Sequence, residues 1–138
     1  MNNTVEHLKL IQGVINRMAR NSFLLKGWNV VLVSALFALA ASKTDIFIVC
    51  LAYFPAFAFW VLDGYFLRQE RLFRALYDYV RILKEEDIDY SMNTLVVKDK
   101  VLGWGRVVFS KTLLVFHGTV LASITIVMLI ILIGKGGS

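Results

Sequence analysis

Three apolar segments divide this chain, and nearly all of its positive charge lies on one side of them. Residues 23–41, 46–62 and 112–133 each approach or reach the roughly 20 residues that a helix needs to cross a hydrocarbon core. A mean hydropathy of +0.67 agrees. So does a hydrophobic content of 58%, against about 45–50% in soluble domains. The sequence is that of a multi-pass membrane protein with a helix for each span.

Lys and Arg set the expected orientation. Lys9, Arg17, Arg20 and Lys26 precede or open the first span, and nine more lie between the second and third, from Arg68 to Lys111. The turn between the first two spans has only Lys43, and the tail only Lys135. By the positive-inside rule the N-terminus and the central segment are cytoplasmic, and the turn and C-terminus are outside. The net charge of +5 then belongs beside anionic headgroups, each basic residue near the surface contributing about 1 kcal/mol. Nucleic acid is the poorer explanation, because these charges flank hydrophobic spans. Ala38-Leu39-Ala40 imitates a signal-peptide cleavage site, but a second span follows at once and the run before it is a patterned helix, so the expectation is a retained hairpin. The single cysteine, Cys50, falls inside the second span as a small packing residue and offers no intramolecular disulfide.

Before the first span, residues 4–20 have helical periodicity. Val5, Leu8, Ile11, Ile15 and Met18 share one face, with Glu6, Lys9, Arg17 and Arg20 opposite. Asn3 and Glu6 have capping-box spacing. Such a helix either lies in the inner interface or packs on the cytoplasmic segment or a neighbouring subunit. After the second span the helix is expected to continue to about Lys84. Leu62, Phe66, Phe73, Leu76, Val80 and Leu83 form an apolar seam interrupted by Gln69, and Glu70 and Arg74 make an i,i+4 pair. Arg68, Arg71, Arg74 and Arg81 make this helix a surface for a partner or a trigger. Residues 85–89 are an acidic patch without metal-ligand spacing, and 95–97 read as a short strand or the start of the return.

Within the spans the polar and small residues carry the information. Gly27, Ser34 and Ala38 on the first, and Gly118 and Ala122 on the third, are candidate helix-packing positions. Asn29 either bonds between helices or sits solvated at headgroup depth. Pro55 predicts a kink in the second span. Asp63, at its inner end, is expected to reach water; buried, it would need an arginine such as Arg68 or Arg71. Thr112, Thr119 and Ser123 align on one face of the third span as candidate pore-lining residues, although each hydroxyl can also bond its own backbone. His117 is the ionisable residue inside a span, a functional-site hypothesis on that ground alone, with a cross-helix hydrogen bond as the simpler account.

No catalytic, cofactor or metal motif is present, so no enzyme is expected. The junction Arg17-x-x-x-Asn21-x-Phe23-Leu24, followed by a span, a tight hairpin and a charged helix, resembles the SLATT superfamily and RipA-like small membrane proteins over about residues 5–85. That resemblance implies a membrane effector of bacterial anti-phage defence that oligomerises and breaches the inner membrane when triggered. It also implies that Arg17, Asn21 and Phe23 are structural residues at the helix–membrane junction. The third span departs from the two-span pattern of that group.

The expectation is therefore an all-α, oligomeric membrane protein. It has an N-terminal amphipathic helix (1–22), a transmembrane hairpin (23–64), a cytoplasmic helix and loop (65–111), and a third transmembrane helix with a short external tail (112–138). The function expected is a triggered channel or permeabilising effector of the bacterial inner membrane. Its partners are the lipid bilayer, further copies of itself, and a cytoplasmic protein or nucleotide as trigger. The rival is a non-conducting anchor that recruits a soluble partner through its cytoplasmic helix.

Overall fold

The computed structural model describes residues 2–43 and 45–137, and among these it is helical with no strand. Helix α1 spans Asn3–Lys43, α2 Ile46–Leu51 and α3 Tyr53–Arg81. After two 3₁₀ segments, Glu85–Asp87 and Thr94–Lys100, come the short α4, Trp104–Val108, and α5, Lys111–Gly136. Three stretches are long and apolar enough to cross a membrane: α1, α2 with α3, and α5.

The amphipathic segment and the first span are one helix. At 41 residues and 1.5 Å per residue, α1 is about 60 Å long, twice the hydrocarbon thickness. Its start lies one residue earlier than the Asn3–Glu6 spacing suggests, because the Asn2 carboxamide accepts from the Thr4 N–H at 3.0 Å. One seam of α1 is buried along its length, through Ile11, Ile15, Ser22, Asn29, Val33 and Ala40. These steps of four and seven keep one stripe facing a neighbour. The neighbour is α3 and its continuation in α2, running antiparallel.

Pro55 acts just after the break between α2 and α3. It lacks an N–H and its ring crowds the carbonyl four residues back, so it is accommodated in the first turn of a new helix that begins at Tyr53. Ala52 bridges the two, its N–H reaching the Val49 carbonyl at 3.0 Å.

At the basic end, Ile11 and Ile15 of α1 pack with Leu76 and Val80 of α3, and the returning loop lays Ile88 and Val97 over them. Of the two placements open to the N-terminal segment, the structure takes packing on the following helix over lying in the interface. Residues 95–97 belong to a 3₁₀ segment that buries Val97, not to a strand. The seam on α3 also differs near its start: Leu62 is exposed while Asp63 and Gly64 are buried. Gly64 is required there, because a Cβ would collide with the Val108 side chain of α4. The acidic residues 85–87 are exposed.

In the apolar half, Val33 and Ala40 of α1, Ile48, Val49, Ala52 and Ala56 of α2–α3, and Ile124 of α5 form a second core. Gly27, Ser34 and Ala38 lie outside the α1 seam and are exposed, as is Ala122, while Gly118 is half-buried. No atom of the described residues comes within 4 Å of a Cβ built on Gly27 or Gly118. The expected close helix packing at these positions therefore does not occur within one chain, since the heptad-like stripe of α1 places larger residues at the contact.

Candidate functional site

Where the three long helices meet at the basic end of their apolar stretches, a polar cluster forms around a buried carboxylate. Asp63 is its centre, at 0% exposure. Ser22 and Lys26 reach it from α1, being one turn apart and so on one face. The Ser22 hydroxyl donates to Asp63 Oδ1. Lys26 Nζ donates to Asp63 Oδ2 at 2.5 Å and to Ser22 Oγ at 2.8 Å. From α5, His117 Nε2 lies 2.8 Å from Asp63 Oδ2. A carboxylate oxygen accepts, so His117 presents its Nε2 proton there, and its Nδ1 has no partner among the described residues.

Trp60, one turn before Asp63, completes the cluster. Its indole stacks on the His117 ring, with centroids 5.9 Å apart and planes 6° from parallel, and its Nε1–H donates to the Val108 carbonyl at 2.8 Å. One residue layer thus ties α1, α3, α4 and α5 together. An isolated buried carboxylate would carry a large desolvation penalty; three donors on two neighbouring helices offset it.

Counting along the helices places this layer. Lys26, Asp63 and His117 stand 17, 18 and 18 residues from Lys43, Asp45 and Lys135 at the far end. Each interval is about 26 Å of helix, close to the roughly 30 Å hydrocarbon core. The cluster therefore marks one boundary of the apolar slab, and three charged residues mark the other.

The arrangement corrects the expectation for Asp63: it is buried, and its partners are Lys26, Ser22 and His117 instead of Arg68 or Arg71. The arginines are held elsewhere. Arg68 Nε donates to the Leu102 carbonyl at 3.3 Å, Arg74 pairs with Glu70 at 2.8 Å, and Arg81 with Asp78 at 3.2 Å. Arg71 is half-buried. Asn29 takes neither of its expected roles. It is fully buried in the α1 seam, and neither atom of its carboxamide has a hydrogen-bond partner among the described residues.

Alongside the cluster and above it, α1 and α5 separate and leave a groove of about 580 Å³. Its α1 wall is Lys26, Val30, Val33, Ser34 and Phe37. Its α5 wall includes Thr112, Thr119 and Ser123, the three candidate pore residues, with Val115, Phe116 and Val120 between them. The Thr119 hydroxyl donates to the Val115 carbonyl at 2.6 Å and Ser123 to the Thr119 carbonyl at 2.9 Å. On the other face, Thr125 spends its proton on Leu121, so the Tyr53 O–H is the donor in their 2.7 Å contact, which pins α5 to α3 farther along.

Among the described residues no group of three or more His, Cys, Asp or Glu side chains could hold a metal ion. Sequence reasoning singled out His117 but missed Ser22, Lys26 and Trp60 as its company. Compared with models of known families, with curated proteins and with solved structures, the chain matches none.

Proposed function

We propose that the protein is a homo-oligomeric effector or channel of a bacterial inner membrane, permeabilising it on a trigger received on the cytoplasmic side. The observation that carries this reading is the groove. Thr112, Thr119, Ser123 and Ser34 line one furrow that runs to the partly exposed Lys26 and, behind it, Asp63 and His117. Intramembrane ionisable groups mark ion pathways more often than they mark inert packing. One copy leaves the furrow open on its lipid side, so a conducting path needs a second copy to cover it. The exposed Gly27, Ser34 and Ala38 beside it permit close approach of another helix. The resemblance to SLATT and RipA-like proteins points the same way, towards anti-phage defence with a protein or nucleotide as trigger.

A second reading has its own support. Because Thr119 and Ser123 donate to their own backbone, they are as compatible with lipid as with water, and the protein then acts as a non-conducting anchor through the helical stalk of α1 and α3.

Ion flux through liposomes, with the oligomer's mass measured in detergent, separates the two. The channel predicts flux from a discrete oligomer that Thr119→Leu with Ser123→Leu abolishes. A silent monomer would exclude it. Charge reversal at Arg71 and Arg74 would then impair the anchor most.

A further inference from the structure

We infer that the groove between α1 and α5 is a binding site for one anionic phospholipid of the inner leaflet, its acyl chain between the valine and phenylalanine walls and its headgroup at Lys26 and Lys111. The site rests on the orientation proposed above and makes the lipid the resting occupant of the furrow that a second copy covers when the assembly conducts.

Three features of the groove select this ligand. Its depth is the first. Along α1 it runs from Lys26 to Phe37 and along α5 from Thr112 to Ser123, eleven residues in each case, or about 16 Å. Along α1 that is half of a roughly 30 Å hydrocarbon core, the reach of one leaflet, starting at the Lys26 boundary; along α5 it starts five residues below His117, at headgroup depth, and ends six residues past it.

The second is the lining. Phe37, Phe116 and four valines supply most of the surface, and the Thr119 and Ser123 hydroxyls between them are satisfied by their own helix. A volume of about 580 Å³ lies in the roughly 300–1,000 Å³ range of small-molecule sites.

The third is charge. Lys26 has three N–H donors, of which two are directed at Asp63 and Ser22, and its side chain keeps 22% exposure. The ammonium also lies 5.8 Å from the centre of the Phe116 ring, a contact that takes no hydrogen bond, so its third N–H is left for a phosphate or ester oxygen at the groove's inner end. Lys111, exposed and next to Thr112, lies six residues or about 9 Å below His117, at headgroup depth. No acidic residue lines the groove. Asp63, at 0% exposure behind Lys26, does not face it.

Native mass spectrometry of the full chain tests the site after delipidation and titration with phosphatidylglycerol, phosphatidylcholine or inorganic phosphate. The expected result is one phosphatidylglycerol per chain, retained about tenfold better than phosphatidylcholine and not displaced by millimolar phosphate. Lys26→Gln should bring the two lipids to parity. Because Lys26 also holds the buried cluster, a second variant is needed: Ser34→Phe with Thr119→Phe, both on exposed walls, should abolish retention of either lipid without loss of fold. Equal retention of both lipids, unchanged by the phenylalanine pair, would mean annular lipid only and overturn the site. Displacement by phosphate, or a lipid-free dimer that the phenylalanine pair dissociates, would overturn it too. Selective lipid retention by a protein that conducts nothing would uphold the site while removing the channel.

Discussion

The two ends of the long α1–α3 hairpin are held together differently. At the basic end Ile11, Ile15, Leu76 and Val80 close on one another under Ile88 and Val97, and the driving force is removal of apolar surface from water. In the apolar slab that force is absent, since lipid is as apolar as leucine, and helices associate through packing and hydrogen bonds. There α1 and α5 part to leave a groove, and the polar links are the Asp63 cluster and the Tyr53–Thr125 contact. The same helix can thus be zipped by leucine-like side chains in one half and pinned by a carboxylate in the other, because its surroundings change midway.

The comparison breaks most visibly at Asp63. Asp63→Ala should leave the Lys26 ammonium without its carboxylate in the slab, a loss of about 3–5 kcal/mol as for a severed buried pair. Reversible unfolding in bicelles would read it, with the loss falling where α3 meets α1 and α5. Leu76→Ala should cost about 2–5 kcal/mol by cavity formation. Hydrogen exchange should then quicken in 4–20 and 70–81 while the span amides stay protected. If both substitutions opened both halves equally, the division would be wrong.

Asn29 sharpens the contrast with the opposite sign. A buried amide without partners carries a penalty of about 1–3 kcal/mol, so Asn29→Leu should raise stability by about that much on the same assay. Destabilisation would show that the carboxamide is engaged. The smallest effect belongs to Thr119→Val. Its hydroxyl bonds only its own turn, so stability should change by less than about 0.5 kcal/mol, leaving any loss of flux attributable to conduction.

Much of the fold was legible in the residues. The spans, an interruption of the second one near Pro55 and the Glu70–Arg74 pair follow from local rules of length, backbone chemistry and helical spacing. The site was only half legible. His117 stood out because it is ionisable within an apolar run, whereas Asp63 looked solvated because it is the first charge after one. What decides between water and burial is register across three helices, which no single segment encodes. A signal was nonetheless present: Lys26 and Asp63 are almost equally far in sequence from Lys43 and Asp45, so an antiparallel hairpin sets them level. The burial of Asn29 had no such signal, since it depends on which side of α1 meets α3. The exposure of the Gly27 and Ser34 stripe follows from the same rotation.

The most direct test of the central claim, that Asp63 and Lys26 pin the helices at the slab boundary, is a double-mutant cycle. Asp63→Leu, Lys26→Met and the pair together would be compared by reversible unfolding in bicelles. The account predicts strong coupling: each single variant leaves one member of the pair without its counter-charge, and the double variant recovers about 1–3 kcal/mol relative to the sum of the two. Additive losses would contradict it and show that each side chain meets its own partner, in lipid headgroups or water.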